Sequence, residues 1–349
     1  MPALPRSGEF ALIDRHFRRP PVSRNATVGI GDDCALLAPL PNEQLAISTD
    51  MLVAGRHFFE DVDPAALGHK ALAVNLSDLA ACGAQPLGAT LAIALPAVDD
   101  AWLEAFASGL FALADAHACE LVGGDTTRGP LTLSLTVFGS VPPGSAHLRS
   151  GASAGDDIYV SHAPLQGLGD ARLALQLQQL ARGETPSAAA TLQALDTRLR
   201  HHLLHMTRVR LELPQPRVAL GLALRGIASA CADLSDGLTG DLGHILRASG
   251  LGASLKALDG AEGLLHACSP ALRTLGNDFA LDMALAGGDD YELVFTAPPA
   301  RREAVAAAAA RCGLCASRIG RMEPQPGLRW IDLEGRQQTL AAQAFDHFA

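Results

Sequence analysis

Carboxylate side chains recur along this chain in apolar surroundings, where a negative charge needs a partner. In the stretch K-A-L-A-V-N-L-S-D-L-A-A-C-G at 70–83, Asn75 and Asp78 lie three residues apart, on one face of a predicted buried helix. An ionised carboxylate is costly to bury unless a cation meets it, and no Lys or Arg lies within one turn of Asp78. A lone aspartate would be interpreted as a cap or turn residue. The recurrence instead predicts a cluster of divalent metals, held by carboxylates that end other apolar segments as well: Asp32, Asp33, Asp50, Asp125, Asp233, Asp236, Asp289 and Asp290.

Hydroxyl groups and glycines accompany these carboxylates, and the combination favours phosphate chemistry. Ser48, Thr49 and Asp50 end a predicted strand as three consecutive oxygen donors, the ligands that Mg²⁺ prefers. Phosphoryl transfer requires mainly positioning and charge neutralisation, and bridging metals supply both. The nucleotide motif G-x-x-x-x-G-K-[ST] is absent, and neither of the two lysines follows a glycine-rich loop. If the chain binds ATP, carboxylate-held metals must therefore replace the loop lysine.

Alternating helices and strands have to position these groups, which predicts a mixed α/β protein. The first half predicts helices at 8–17, 64–83 and 100–117, strands at 45–50, 89–95 and 131–139, and a strand at 119–130 that runs into a Gly-Gly-Asp-Thr-Thr turn. The second half predicts a strand at 157–161, helices at 170–182, 187–205 and 216–229, a strand turning into a helix at 230–243, a Gly-Gly turn followed by a strand at 284–296, a helix at 300–311, and strands at 317–321 and 328–333.

The length of 349 residues predicts two domains. A Pro/Gly/Ser-rich stretch at 142–155 marks their boundary, so we expect an N-terminal domain at 1–148 and a C-terminal α/β domain at 149–349. A hydrophobic fraction of 48% with 18% charged residues excludes a disordered chain. The net charge of −10 argues against a nucleic-acid or anionic-membrane partner, since both need a basic surface.

The spacing of the cysteines and the length of the apolar runs indicate the cellular compartment of the protein. Seven scattered cysteines are not a disulfide framework and suit a reducing cytoplasm. The N-terminus has no signal-peptide pattern, and no apolar run reaches the roughly 18 residues that a membrane helix needs. We therefore expect a soluble, cytoplasmic protein.

Six motifs occur in one order along the chain: G-I-G-D-D-C-A-L-L, S-T-D-M-L-V-A-G-R-H-F, A-V-N-L-S-D-L-A-A-C-G-A, L-V-G-G-D-T-T-R-G-P, D-L-S-D-G-L and G-G-D-D-Y-E-L. From Gly8 to Phe348 the chain closely resembles the thiamine-monophosphate kinases, in the superfamily of aminoimidazole ribonucleotide synthetase and selenophosphate synthetase. The resemblance implies a two-domain synthetase-like fold that dimerises through its N-terminal β-sheet. It also implies an ATP-dependent, magnesium-assisted, in-line phosphorylation of thiamine monophosphate to thiamine diphosphate, without a covalent nucleophile.

The resemblance assigns roles to individual residues. The magnesium ligands it implies are Asp33, Ser48, Thr49, Asp50, Asp78, Asp125, Asp233 and Asp236. ATP would be met by Gly124, Asp125, Arg149 and Ser235, and thiamine monophosphate by His57, Asp289 and Phe345. Asp289 stands where the family usually has Glu, and Phe345 where Trp or Tyr is common.

Three alternatives remain open at the level of sequence, two from the same superfamily and one from a different class. A selenophosphate synthetase would carry a reactive Cys or selenocysteine with a nearby Lys in its N-terminal segment, and residues 1–20 contain neither Cys nor Lys. An amidine-forming synthetase would lack the S-T-D and G-x-H-F pairing. From a different class, a non-catalytic metal-binding protein would use the same carboxylates without turnover.

Overall fold

The computed structural model describes residues 9–20, 25–38, 41–258, 260 and 262–340. It divides the chain into two compact units: unit 1 comprises residues up to 79 and 84–146, and unit 2 comprises residues 80–83 and those from 147 onward. The boundary expected after residue 148 lies two residues further along the chain than this division. None of the described helices combines the length and apolarity needed to cross a membrane.

Unit 1 is built on a four-stranded sheet in the order β3-β6-β4-β5, in which only β4 and β5 run parallel. Its strands are β1 (Ala26–Val28), β2 (Leu36–Leu37), β3 (Gln44–Val53), β4 (Gln85–Leu95), β5 (Glu120–Arg128) and β6 (Thr132–Val141), of which β1 and β2 form a separate pair. Its helices are α1 (Glu9–His16), α2 (Pro64–Cys82), whose last residues belong to unit 2, and α3 (Asp100–Ala116).

The two faces of this sheet differ in burial. Leu133, Leu135 and Val137 alternate along β6 and are buried, as period-2 patterning requires for the face that packs on the core. The opposite face carries Leu45, Ile47 and Met51 of the edge strand β3, and Ile47 is 61% exposed. Unit 1 therefore has one covered and one open sheet face.

Unit 2 is built on a seven-stranded sheet in the order β13-β12-β9-β11-β7-β10-β8. Its strands are β7 (Asp157–His162), β8 (Ala230–Asp233), β9 (Gly252–Lys256), β10 (Leu293–Ala297), β11 (Cys315–Glu323), β12 (Gly327–Ile331) and β13 (Gln337–Leu340). Its α-helices are α4 (Asp170–Ala181), α5 (Ala189–Ala194), α6 (Thr197–Glu212), α7 (Val218–Ala223), α8 (Leu238–Ser249), α9 (Pro270–Arg273), α10 (Asn277–Ala286) and α11 (Arg302–Arg311). Strands and helices alternate in both units, which confirms the mixed α/β class.

Several predicted boundaries are wrong. The strand expected at 45–50 continues to Val53, so its oxygen donors lie in mid-strand. The expected Gly-Gly-Asp-Thr-Thr turn is part of β5, because hydrogen bonding to β4 continues as far as Arg128. The single helix expected at 187–205 is α5 and α6, since Asp196 interrupts it and caps α6 by accepting a hydrogen bond from Leu199 N–H at 2.9 Å. The helix expected at 216–229 is only α7.

Candidate functional site

Strand β3 and helix α2 bring three of the predicted ligand residues together. Ser48 Oγ donates a hydrogen bond to Asp78 Oδ2 at 2.5 Å, and Asp50 N–H donates to Asn75 Oδ1 at 3.0 Å. The Asn75 amide is itself held by Ala71 O at 3.0 Å in the preceding turn of α2. Asn75 and Asp78 therefore share one face of α2, as their spacing predicted, and that face lies against Ser48 and Asp50.

Thr49 and His57 are placed differently. Side chains alternate along a strand, so Thr49 lies on the open face of the sheet, where its hydroxyl is 2.5 Å from that of Thr136. The structure therefore separates the Thr49 hydroxyl from Ser48 and Asp50. In the turn after β3, His57 Nδ1 accepts a hydrogen bond from Val53 N–H at 3.0 Å, which assigns the proton of the neutral imidazole to Nε2.

A cleft of about 620 Å³ in unit 1 contains a second group of predicted residues, Asp33, Gly124 and Asp125. Gly124 has a φ of +150°, and a Cβ there would lie 1.8 Å from Leu91 O of the neighbouring strand. Only glycine fits this backbone. Asp32, by contrast, uses Oδ1 to accept the Asp33 N–H at 2.8 Å and so shapes the turn. Asp33 and Asp125 are exposed, as ligands for a small molecule must be.

In unit 2, hydrogen bonds join the loops of the D-L-S-D-G and G-G-D-D-Y-E motifs. Asp289 N–H donates to Ser235 O at 2.9 Å, and Tyr291 N–H donates to Leu234 O at 2.8 Å. Asp289 and Tyr291 have φ values of +62° and +49°, a conformation that costs residues other than glycine about 1–3 kcal/mol each. The Tyr291 hydroxyl donates to Asp289 Oδ1 at 3.1 Å. The two loops thus place Ser235 and Asp236 beside a strained segment that carries Asp289.

Asp241 is a site residue that sequence reasoning missed. Its Oδ2 accepts hydrogen bonds from both Ser235 N–H (3.0 Å) and Asp236 N–H (3.1 Å), and so fixes the loop that leads into α8. Burial raises its pKa to about 7, while those two hydrogen bonds and the charge of Arg149 act in the opposite direction. Arg149 is exposed and lies near enough to lower the pKa of His244 as well. An acid in the first turn of a predicted helix, directly after D-L-S-D-G, was the available signal.

Asp290 and Glu292 lie beneath the same loops and are buried. Both oxygens of Asp290 accept from Gly169 N–H, at 3.1 and 3.2 Å, and burial holds its pKa well above the ordinary value despite the charge of Arg210. Glu292 accepts hydrogen bonds from Arg210 and Arg217, whose charges outweigh its burial and lower its pKa. The hydrogen bonds of these two buried carboxyl groups hold the G-G-D-D-Y-E segment in place. Asp290, initially grouped with the metal-binding carboxylates, is therefore a structural residue.

The predicted metal ligands belong to both units: Asp33, Ser48, Thr49, Asp50, Asp78 and Asp125 to unit 1, and Asp233 and Asp236 to unit 2. Asp233, the first residue of the D-L-S-D-G motif, ends β8 and is buried. Phe345 lies outside the described residues. Among the residues that are described, no three Asp, Glu, His or Cys side chains converge as a ready-made metal site. These residues nevertheless suit Mg²⁺, which prefers oxygen ligands. Among the residues that line the cleft, every side chain able to coordinate a metal offers oxygen.

Both halves of the chain match known protein families. Residues 31–141 match the family "AIR synthase related protein, N-terminal domain", and residues 153–332 match "AIR synthase related protein, C-terminal domain". These matches confirm the expected two-domain synthetase-like fold.

Individual relatives match over nearly the full length. The thiamine-monophosphate kinase of Salmonella typhimurium is 46% identical over 346 residues, which covers 98% of each chain. The crystal structure of the thiamine-monophosphate kinase from Stenotrophomonas maltophilia K279a superimposes with a TM-score of 0.75 at 46% identity, covering 88% of this chain and 91% of that one. AaThiL, solved in complex with AMPPCP and TMP, superimposes with a TM-score of 0.68 at 27% identity, covering 86% and 89%.

Proposed function

This chain belongs to the thiamine-monophosphate kinase family of AIR synthase related proteins, and from that premise we propose that it phosphorylates thiamine monophosphate with ATP, giving thiamine diphosphate and ADP. The observation that carries the proposal is the 46% identity to a thiamine-monophosphate kinase across 98% of both chains. The complex of AaThiL with AMPPCP and TMP supports the same pair of small-molecule substrates.

The proposed transfer is direct and in line. An oxygen of the substrate phosphate bonds to the γ-phosphorus of ATP while the bond to the β–γ bridging oxygen breaks, and ADP leaves with that electron pair. The attacking phosphate is already ionised at neutral pH, so the protein needs no strong base. Inversion at a chiral γ-phosphorus is the expected outcome. Net retention, or an isolable phospho-enzyme, would overturn the direct route.

Magnesium, when bound, would supply positive charge that offsets the negative charge of the reacting phosphates. The residues proposed to hold it are Asp33, Ser48, Thr49, Asp50, Asp78, Asp125, Asp233 and Asp236. Hydrogen bonds between β3 and α2 support Ser48, Asp50 and Asp78 best, because they join the Ser48 hydroxyl to the Asp78 carboxylate and the Asp50 backbone to Asn75. The hydroxyl of Thr49 on the other sheet face is the least supported.

The remaining residues are proposed to bind the two substrates. Gly124 and Asp125 in the cleft, with Arg149 and Ser235, would meet ATP, and a guanidinium such as that of Arg149 can bind two phosphate oxygens at once. His57, Asp289 and Phe345 would meet thiamine monophosphate. The Tyr291 hydroxyl donates a hydrogen bond to the Asp289 carboxylate. We propose that this bond orients Asp289, whose side chain is one methylene shorter than that of Glu.

The open face of the unit 1 sheet supports a homodimer. Leu45, Ile47 and Met51 are more than half exposed along edge strand β3, and pairing with a second copy would cover both the apolar face and the edge. In this proposal, residues 1–148 bind metal and ATP and dimerise, and 149–349 form the C-terminal domain. Ile47→Lys should give a monomer by light scattering, while Val98→Lys, at another exposed apolar site, should leave the mass unchanged.

One assay tests the activity itself. ADP release should require ATP, Mg²⁺ and thiamine monophosphate together, and thiamine diphosphate should accumulate in a 1:1 ratio with ADP. ATP consumption that needs selenide instead would favour the selenophosphate synthetase alternative, and metal binding without turnover would favour the non-catalytic one. We place the reaction in the cytoplasm, since the seven cysteines, all within the described ranges, form no disulfide.

A further inference from the structure

Helix α6 carries a group of histidines that lies outside the six motifs and outside the proposed ligand set. His201, His202 and His205 are all exposed on this helix. Within the described part of the chain, no hydrogen bond or ion pair involves any of the three imidazole rings. Imidazole is the commonest metal ligand among protein side chains. These three rings are therefore accessible to a ligand from solvent.

The buried side of α6 fixes the direction in which the histidines project. Leu203 and Thr207 are each 1% exposed on that side. Arg210, also 1% exposed, donates hydrogen bonds to Asp290 O at 2.6 Å and to Glu292 Oε1 at 2.9 Å. The helix also packs against α4. These contacts prevent rotation of α6 about its axis, so the side that carries the histidines stays in solvent.

Two of the histidines have the spacing of a metal chelate. His201 and His205 are four residues apart, so they lie in successive turns on one face, with Cβ atoms roughly 5–6 Å apart. Two imidazoles in this arrangement can approach one ion, which each binds at about 2.0–2.1 Å. The same i, i+4 pair supplies two ligands in helical zinc sites. His202 is three residues from His205 and lies further round the helix than His201 does.

The chemistry of the pair favours a borderline transition metal over Mg²⁺. Mg²⁺ prefers oxygen ligands, whereas imidazole suits Zn²⁺, Ni²⁺ and Cu²⁺. Arg208, in the turn after His205, is paired with Glu212 at 2.7 Å, which offsets its repulsion of a bound ion. Arg198, in the turn before His201, is exposed, and water and salt screen its charge.

We propose that His201 and His205 form a site for one borderline divalent transition metal, such as Zn²⁺ or Ni²⁺, with water in the other coordination positions. The site uses two protein ligands, so it agrees with the finding that no three ligand side chains converge among the described residues. None of the magnesium ligands proposed for phosphoryl transfer lies on α6. A bound ion links two turns of α6 and thereby stabilises the helix whose Arg210 holds the Asp290 carbonyl.

Calorimetric titration with NiCl₂ tests the site. Exposed and half-buried thiols are first alkylated with iodoacetamide, because they would also bind Ni²⁺: Cys34, Cys82, Cys312 and Cys315. Excess Mg²⁺ in the buffer competes for the oxygen ligands. Wild type should bind Ni²⁺ under these conditions. His201→Ala and His205→Ala should each weaken this binding at least ~tenfold, because a single imidazole lacks the second ligand held nearby at high effective concentration.

The matched control is His266→Ala, which removes an exposed histidine outside α6. Its affinity for Ni²⁺ should equal that of wild type. His202→Ala should weaken binding less than His201→Ala does, because the proposed pair does not include His202. Equal affinities in wild type and His205→Ala would overturn the inference. A larger loss in His202→Ala than in His201→Ala would overturn it as well.

Thermal melts separate metal binding from any change in the fold. Without metal, His205→Ala should melt close to wild type, since the side chain is exposed and Ala favours a helix. NiCl₂ should raise Tm in alkylated wild type and in His266→Ala but not in His205→Ala, because only a ligand of the folded state stabilises it. MgCl₂ should act equally on all three proteins. A Ni²⁺-induced rise of the same size in His205→Ala would contradict the histidine pair.

Discussion

The carboxylates of unit 1 and those beneath the loops of unit 2 have opposite surroundings. Asp33 and Asp125 are exposed at a cleft, and Asp50 is half-buried on the edge strand β3. In unit 2, Asp290 and Glu292 are almost completely buried, and each is held by named donors. The same residue chemistry therefore serves two purposes: accessible carboxylates remain available to a ligand, and buried ones stabilise the backbone that presents the site.

This contrast has an energetic basis. A buried carboxylate must be compensated within the protein, because water cannot solvate it. Arg210 and Arg217 compensate Glu292, and Gly169 N–H partly compensates Asp290. An exposed carboxylate keeps its hydration until a cation replaces it. Substitution should therefore reduce stability in one region and turnover in the other.

The largest effect is expected from breaking the buried ion-pair network. Glu292→Gln leaves Arg210 and Arg217 without their buried counter-charge, so we expect the free energy of unfolding to fall by about 3–5 kcal/mol. Urea denaturation measures the loss. Glu334→Gln, in an exposed pair with Arg336 at 2.8 Å, is the control and should leave the free energy of unfolding almost unchanged, because water screens the pair. Equal losses of unfolding free energy in Glu292→Gln and Glu334→Gln would show that buried and exposed carboxylates do not differ in their contribution to stability.

The next effect concerns turnover rather than stability. Asp50→Asn keeps the size of the side chain but removes its charge, so we expect kcat to fall at least ~100-fold, equivalent to about 2.7 kcal/mol, with little change in melting temperature. Asp99→Asn is the control, because Asp99 caps α3 and Asn caps helices equally well. A fully active Asp50→Asn protein would exclude Asp50 from the site.

Asp241 combines features of both groups of carboxylates, because it is buried and also contacts the D-L-S-D-G loop. Asp241→Ala removes the acceptor shared by Ser235 and Asp236 N–H, and we expect kcat/KM for ATP to fall about tenfold, or roughly 1.4 kcal/mol. Asp241→Asn keeps an acceptor oxygen and should restore most of the activity. Asp196→Ala removes a similar acceptor at α6 and should lower stability alone. Loss of stability without any change in KM for ATP would make Asp241 purely structural.

The smallest effect is a pH dependence at Asp290. Its folded-state pKa is raised well above the ordinary value by burial and by the neighbouring Asp170 and Glu292, against the charge of Arg210. The folded state thus binds more protons than the unfolded state above the ordinary pKa, and this contribution to stability falls as pH rises towards the folded pKa. Asp290→Asn should therefore lose less melting temperature than wild type between pH 4.5 and pH 8. An identical pH slope in both proteins would contradict the raised pKa.

Much of this architecture could be predicted from sequence. The apolar stretch of α2 with Asn75 and Asp78 three residues apart predicted both a buried helix and a polar face, and the structure places that face against β3. The six motifs predicted the family, because their residue types and order are fixed by the linear chain. The sequence likewise predicted a strand at 131–139, where the structure has β6.

Other features depend on contacts between segments distant in sequence. Asp289 and Asp290 are neighbours with the same side chain, yet the first is half-buried beside Tyr291 and the second is buried on Gly169 N–H. The backbone turn that separates them requires hydrogen bonds to Leu234 and Ser235, more than fifty residues earlier.

The sequence by itself therefore determined which carboxylates exist, which elements carry them and which family they belong to, because periodicity and motif order are local properties. Only the tertiary structure decided which of them are exposed and which are buried. Contact with α2 covered the face of β3 that carries Ser48 and Asp50 and left Thr49 on the open face. The fold of α8 brought Asp241 onto the D-L-S-D-G loop. A side chain's burial and partners are set by segments that the chain brings together only on folding, and that is the physical reason for the division.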